Sequence, residues 1–297
     1  MTRSARSLVL AALLPAICAC STPSSSRRSP HAVTLRFAWP EHFSARVSYS
    51  FTMSSPLGNS EVHRRYWLAV EPAKEKGVHR LVPRDIEVFP PEYAAMVDPV
   101  PTVRFDNEGA FQGLESPEEL PGQRMLEALP LEPEKKAEIA KNLVAVQEQS
   151  ARDYWERLVG NWRGVTLAPG EPVRLESKMV VGTGMLEKKE VAAEERYSIE
   201  VDVPCSQDAQ ERRCVRLTVE TQPVGQPEAG EGPMARWGFE LVTDPDTLVP
   251  YSTRLMRMDR VDWGEDGGAQ SLKEFLQVEE YVYTYGVQRV PPGSNPL

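Results

Sequence analysis

The stretch Ala45–Met53, ARVSYSFTM, decides the fold class of this chain. Apolar or aromatic side chains occupy every second position from Ala45 to Met53, and polar side chains stand between them. A period of two is typical of a β-strand that has one buried face and one solvated face. The stretch therefore predicts an antiparallel sheet with a hydrophobic core on one side.

The same alternation continues on both sides of this stretch. Upstream, residues 33–39 place Val33, Leu35, Phe37 and Trp39 on one face. Further candidate strands cover residues 61–70, 78–88, 173–181, 187–203, 215–224, 235–242, 252–261 and 272–285, and two short strands flank a turn at residues 107–109. About eleven strands result. We expect a mainly β (α+β) domain over residues 32–290, built as a strongly curved antiparallel sheet or half-barrel, and a tail at residues 291–297.

Residues 116–160 form a helical insertion with a different period. Residues 116–119 have capping-box spacing, and the longest helix begins at Pro133 and ends near Gly160. Acidic residues precede arginines by four positions at Glu148/Arg152 and Asp153/Arg157, an arrangement typical of solvent-facing pairs. One apolar stripe faces the sheet: Ile139, Leu143, Val146, Ser150, Tyr154 and Leu158. We expect this insertion to cover part of the concave face of the sheet.

Residues 1–19 have the pattern of an export signal. Arg3 and Arg6 precede an apolar run at residues 7–14, which is too short to span a membrane. Residues 20–31 are rich in serine and proline, a composition typical of a flexible tether. The remaining chain has few cysteines, and an oxidising compartment favours a structural disulfide between Cys205 and Cys214.

The positions of that cysteine pair set a register problem. The apolar positions on both flanking strands are odd-numbered, so residues facing each other across the hairpin have an even sum. The sum of 205 and 214 is odd. A disulfide between Cys205 and Cys214 therefore requires either a bulge or a chain that leaves the ladder at Pro204. Because proline cannot donate a ladder hydrogen bond, we expect the second solution.

The sequence Ile17–Cys20, ICAC, resembles the lipobox of bacterial lipoproteins. The resemblance implies that Cys20 is the first mature residue, is lipidated and attaches the protein to a membrane. In that family Ser21 implies outer-membrane sorting, on the periplasmic face or at the cell surface. An ordinary secreted protein with cysteines in its signal is the alternative.

The rest of the chain resembles a group of bacterial secreted and lipoprotein β-domains. The resemblance lies in VRFDNEGAF at residues 103–111, in LAPGEPVRLES at residues 167–177 and in the order of the elements over residues 32–286. The layout is also similar to the half-barrel of periplasmic lipoprotein carriers. These likenesses imply a fold and a compartment, and no functional residue carries over from them.

Catalytic and metal-binding motifs are missing from the sequence. The four histidines, His31, His42, His63 and His79, do not have zinc-site spacing, and neither a nucleophile elbow nor a phosphate loop occurs. Residues 262–274 depart from a calcium loop at two ligand positions and predict a hairpin turn. We therefore expect no enzyme activity, no cofactor and no metal. The net charge of −9 argues against nucleic-acid binding.

Three hypotheses for function follow. The first is a non-enzymatic lipoprotein that binds a lipid or other apolar ligand on the concave face of its sheet. The ligand would contact a set of inward-facing aromatic residues: Phe37, Trp39, Tyr49, Phe51, Tyr66, Trp237 and Phe239. Ordinary core packing is the alternative explanation for the same residues. The second is an envelope module that binds or assembles with another protein. The third is a hydrolase of unknown type.

Overall fold

The computed structural model describes residues 32–94, 100–115, 126–127, 129–182, 188–206, 213–225, 234–262 and 272–286. The signal segment, the lipidation candidate Cys20, the tether and the C-terminal tail lie outside these residues. So do the capping-box segment at residues 116–119 and most of the turn predicted at residues 262–274.

In the described part of the chain, eleven antiparallel strands form one sheet, which confirms the mainly β prediction. Its order is β6-β5-β4-β3-β2-β13-β12-β11-β10-β9-β8. The strands are β2 Ser44–Ser55, β3 Gly58–Pro72, β4 Val78–Phe89, β5 Thr102–Asp106, β6 Phe111–Glu115, β8 Val173–Gly182, β9 Lys188–Pro204, β10 Arg213–Pro223, β11 Met234–Thr243, β12 Pro250–Asp262 and β13 Leu272–Thr284. Two meanders, β2–β6 and β8–β13, thus meet where β2 pairs with β13.

The sheet is open and is not strongly curled, which corrects the predicted half-barrel. Strong curvature needs bulges repeated along the strands. The register shifts once in each of the pairs β3–β4, β5–β6, β9–β10 and β11–β12, but the central pairs β2–β3, β2–β13 and β12–β13 run without a shift. Within the described residues β6 and β8 remain the two sheet edges.

The predicted strand at residues 33–39 is much shorter than expected. Only β1, Val33–Thr34, pairs as a strand, with β7 at Thr166–Leu167. Beyond it the chain stays attached to a loop, because the backbone NH of Arg36 donates to the carbonyl of Pro245 and that of Ala38 to the carbonyl of Thr247. The alternating pattern therefore marks an extended segment that seals one end of the core.

One long helix connects the two meanders. Helix α1 covers Pro133–Trp155 and continues into a π-helical turn at Glu156–Gly160, so the helical segment begins and ends where the sequence predicted. Pro133 at the first helical position already has the backbone φ of a helix. A short 3₁₀ turn at Pro91–Tyr93 follows β4.

The core lies between the end of this helix and the inward face of the sheet. Burial alternates strictly from Ser44 to Tyr49, and then fails, since Met53 is 39% exposed. Trp155 is fully buried, stacks on Phe105 with ring centroids 4.8 Å apart, and donates from Nε1 to the carbonyl of Gly109 at 2.9 Å. The opposite face is solvated and carries ion pairs such as Arg254–Glu280 at 3.1 Å.

Cys205 and Cys214 form a disulfide, with their Cα atoms 5.0 Å apart. Strand β9 stays paired through Pro204, and the register shifts between Cys214 and Arg216. The bulge, rather than the departure from the ladder that we expected, therefore solves the odd-sum problem. Asp202 in the bulged strand has a φ of 60°, a left-handed conformation that aspartate tolerates better than most residues.

Candidate functional site

A groove of about 610 Å³ lies between helix α1 and the inward face of the sheet. Its lining comes from strands β2–β5 and β11–β13, from residues 100–101 and from the helix between Leu143 and Arg157. A volume of this size is within the range of small-molecule sites, roughly 300–1,000 Å³. The groove combines apolar and polar side chains.

Strands β3–β5 supply apolar side chains to the lining, beside Arg64 and Tyr66 of β3. Leu68, Leu81 and Val103 lie there, and Leu81 and Val103 are register partners. From the helix, Leu143 and Val146 line the same groove. Val146 is 64% exposed, so the groove leaves apolar surface uncovered.

The lining on strands β11–β13 is more polar. Trp237, Arg257 and Gln277 form one row across these strands, since Arg257 is the register partner of both others. Glu279 lies one step along β13 and accepts a hydrogen bond from the Gln277 amide at 2.8 Å. Arg257 donates from Nε to Asp259 at 2.7 Å.

A cluster of tyrosines forms the middle of the groove floor and its border with the core. Tyr49 and Tyr281 are cross-strand partners with ring centroids 4.6 Å apart, and Tyr154 of the helix shares a hydrogen bond with the hydroxyl of Tyr283. Burial raises the pKa of each of these hydroxyls well above the ordinary value, and neighbouring Glu279 raises the pKa of Tyr49 further. The hydroxyls are therefore neutral hydrogen-bonding groups at physiological pH.

Two arginines of the groove lie against aromatic rings. The Arg64 guanidinium is 5.1 Å from the ring centroid of Tyr49, and that of Arg157 is 5.8 Å from the ring centroid of Trp237. Both distances suit a cation–π contact. The sequence predicted Asp153 and Arg157 as a solvent-facing ion pair. Asp153 is exposed as expected, but it accepts from Gln149 instead, and Arg157 is partly buried in the groove lining.

The structure places the seven predicted ligand-binding aromatics in two environments. Tyr49, Tyr66 and Trp237 line the groove. Phe37, Trp39, Phe51 and Phe239 pack in or against the core, where Trp39 stacks on Phe43.

Sequence reasoning missed most of the polar lining. It identified Leu143, Val146, Ser150 and Tyr154 as one helix stripe, but assigned that stripe to packing. The signal for Arg64 was its even-numbered position in β3, which shares the inward face with Tyr66 and Leu68. An arginine in a row of buried positions is a departure from the core pattern, and such departures mark candidate sites.

Two other kinds of site are absent from the described residues. No group of three histidine, cysteine, aspartate or glutamate side chains in the described ranges is placed to hold a metal ion. In the same part of the chain, no helix has the length and apolar character needed to cross a membrane.

Comparison with known proteins adds no relative. No protein-family model matches the chain, and no curated protein matches it in sequence.

Proposed function

We propose that this protein binds one small apolar or amphiphilic molecule in the groove between helix α1 and the sheet. The observation that carries the proposal is the groove itself, about 610 Å³ in volume and lined by Leu68, Leu81, Val103 and Leu143 together with the 64%-exposed Val146. Covering apolar surface is favourable by about 25 cal/mol per Å². A ligand in the groove would supply that cover without a change in the fold.

The polar groups of the lining support binding of a ligand with one polar end. Small-molecule sites are mostly apolar and use a few polar groups to fix orientation. Tyr49, Arg157 and Gln277 supply such groups here. The proposal assigns a binding role and no catalytic step.

The second part of the proposal is a lipid anchor at the outer membrane. It rests on the ICAC sequence ending at Cys20, which resembles a lipobox, and on the serine- and proline-rich tether. The disulfide between Cys205 and Cys214 fits an oxidising compartment. A protein held beside a membrane would meet lipids as its most abundant apolar ligands.

The groove is tested by native mass spectrometry of the full chain, expressed in a Gram-negative bacterium and extracted from membranes with mild detergent. We expect a small molecule to co-purify with the wild type. Val146→Trp fills the groove and should abolish this, whereas Val144→Trp changes an exposed residue of the same helix outside the groove lining and should not. A bare wild-type protein would refute the binding proposal. If in-cell crosslinking of that bare protein also captured one stoichiometric protein neighbour, the envelope-assembly hypothesis would replace it.

The anchor is tested separately with Cys20→Ser. We expect this variant to leave the membrane fraction while keeping its groove ligand, and labelling with a radioactive fatty acid should be lost. Unchanged membrane association would contradict the lipid anchor. Cys18→Ser is the matched control, since Cys18 lies in the predicted signal segment.

A further inference from the structure

Two hydrogen-bond donors of helix α1 are buried at the groove without partners. Nε of Arg157 and Nε2 of Gln147 both have negligible solvent exposure and no hydrogen-bond partner among the described residues. Both side chains line the groove. A buried polar group that lacks a hydrogen bond costs on the order of 1–3 kcal/mol, and more when it is charged. These two donors therefore favour an acceptor inside the groove.

The acidic side chains of the groove do not supply that acceptor. Asp153 accepts from Gln149 at 2.7 Å, and Glu279 accepts from Gln277 at 2.8 Å. No ion pair joins Arg157 to an acid in the described part of the chain. By contrast, Arg257 is paired with Asp259.

The π-helical turn holds Arg157 at the groove while its neighbours enter the core. Leu158 and Val159 are both fully buried, and the turn closes with a hydrogen bond from the NH of Asn161 to the carbonyl of Glu156 at 2.7 Å. Such turns occur often at functional sites. Contact with the Trp237 ring leaves the planar guanidinium fork of Arg157 available for a two-oxygen anion, the partner that arginine binds best.

Arg157 and the apolar side chains of strands β3–β5 lie far apart across the sheet. Leu68 is on β3 and Trp237, below Arg157, is on β11, with β2, β13 and β12 between them. Four inter-strand spacings of about 4.8 Å separate the two, roughly 19 Å in all. An extended acyl chain is long enough to cover this distance.

We infer that the ligand is a single-chain amphiphile with an anionic headgroup, a carboxylate or a phosphate. Arg157 binds the headgroup oxygens, and the chain lies along the tyrosine floor toward Leu68, Leu81 and Val103. This inference rests on the proposed function. It adds the charge and the orientation of the ligand.

The test measures binding of four probes to the full mature chain by isothermal titration calorimetry, each below its micellar concentration. Hexadecanoate and hexadecyl phosphate carry the two anionic headgroups, hexadecanol carries a neutral one and hexadecyltrimethylammonium a cationic one. We expect at least one anionic probe to bind tenfold or more tightly than hexadecanol, and the cationic probe to bind most weakly. The stronger of the two anionic probes identifies the headgroup.

Arg157→Gln should reduce the affinity of the preferred anionic probe to that of hexadecanol while leaving hexadecanol binding unchanged. Arg157→Lys should restore part of the preference. The control is Arg254→Gln, because Arg254 lies on the opposite face, where it pairs with Glu280, and it should bind all probes as the wild type does. Circular dichroism verifies that each variant is folded.

The possible results distinguish a wrong headgroup assignment from a groove that binds no amphiphile. Equal binding of hexadecanol and both anions, or an anionic preference that survives Arg157→Gln, overturns the headgroup assignment and leaves the binding function intact. If none of the four probes binds, the groove is not a site for single-chain amphiphiles. In that case the co-purified molecule decides whether the proposed function also fails.

Discussion

The two halves of helix α1 have different surroundings. Near the C-terminal end, Trp155 and the following Leu158 are fully buried. In the N-terminal half, Ile139, Val144 and Val146 are 37%, 42% and 64% exposed. One helix thus closes the core at one end and forms the wall of a groove at the other.

An apolar stripe on a helix therefore does not by itself show that its residues are buried in the core. The stripe has the same period along its whole length, so the helix does not determine how deeply each residue is buried. The facing surface determines it: the C-terminal half meets the ring cluster of Phe37, Trp39 and Phe105, which fills the space. The N-terminal half meets no equivalent ring cluster in the described chain, and the groove remains.

The largest expected effect on stability comes from removing the Trp155 side chain at the buried C-terminal end of the helix. Trp155→Ala deletes a fully buried indole and its hydrogen bond to the carbonyl of Gly109. We expect the free energy of unfolding to fall by about 3–5 kcal/mol, as for other buried tryptophans. Urea unfolding followed by circular dichroism measures it. A loss below about 1 kcal/mol would mean that this end of the helix is not part of the core.

A smaller effect is expected at the turn that receives the indole. A Cβ on Gly109 would lie 2.7 Å from the Phe37 ring, whereas a Cβ on Gly164 meets nothing within 4 Å. Both glycines have nearly the same positive φ, 78° and 74°, so alanine pays a similar backbone cost of about 1 kcal/mol at each. Gly109→Ala should therefore be less stable than Gly164→Ala by about 1–3 kcal/mol, the cost of overpacking. Equal unfolding midpoints would contradict the contact with Phe37.

Much of the packed region could be predicted from the sequence, because its signals are local. Strict alternation located the strands. Pro133 and Gly160 marked the first residue of the helix and the last residue of its π-helical turn. The segment after Val33 was less predictable. Its alternation is real, but its partners are the loop carbonyls of Pro245 and Thr247, more than two hundred residues away, and no local pattern indicates them.

The groove was less predictable because it depends on the distance between helix α1 and the inward face of the sheet. The aromatic pattern selected the groove residues together with four core residues, Phe37, Trp39, Phe51 and Phe239. A period of two identifies the face of the sheet on which a side chain lies, and it does not show how deeply that side chain is buried. The spacing of Asp153 and Arg157 predicted an exposed pair, because helix spacing does not include the sheet beneath. Only the fold brings Arg157 over Trp237, eighty positions later.

High pH should lower the free energy of unfolding through the buried tyrosines that lie between the groove and the core. Burial raises the pKa of Tyr283, which faces Tyr66, Tyr154, Tyr281 and Tyr285. Below about pH 10 both states keep the proton and the stability is complete; above it the unfolded chain ionises first, so stability is lost as the pH rises toward the folded-state pKa. One such tyrosine contributes up to about 1.4 kcal/mol per pH unit.

Comparison with Tyr283→Phe isolates this effect from other ionisations. The variant should be less stable than the wild type by about 1 kcal/mol near pH 8, because the Tyr154 hydroxyl loses its partner. The gap should close and then reverse between about pH 10 and 11.5. Urea unfolding at a series of pH values measures it, and a constant gap would show that the Tyr283 hydroxyl ionises as easily in the folded protein as in the unfolded chain.

The smallest effect on stability, and the sharpest contrast with Trp155, is expected at the exposed end of the stripe. Val146→Ala removes apolar atoms that already contact solvent, and alanine favours the helix, so the free energy of unfolding should change by less than about 0.5 kcal/mol. The groove loses part of its wall, however, and affinity for hexadecanol should fall about two- to fivefold, since each buried methylene is worth about 0.8 kcal/mol. Val144→Ala is the matched control: it is the same substitution on the same helix at an exposed residue outside the groove lining, and it should change neither quantity. Equal affinities of the two variants would mean that the N-terminal half of the helix forms no part of the site, and the difference between its two halves would then be one of packing alone.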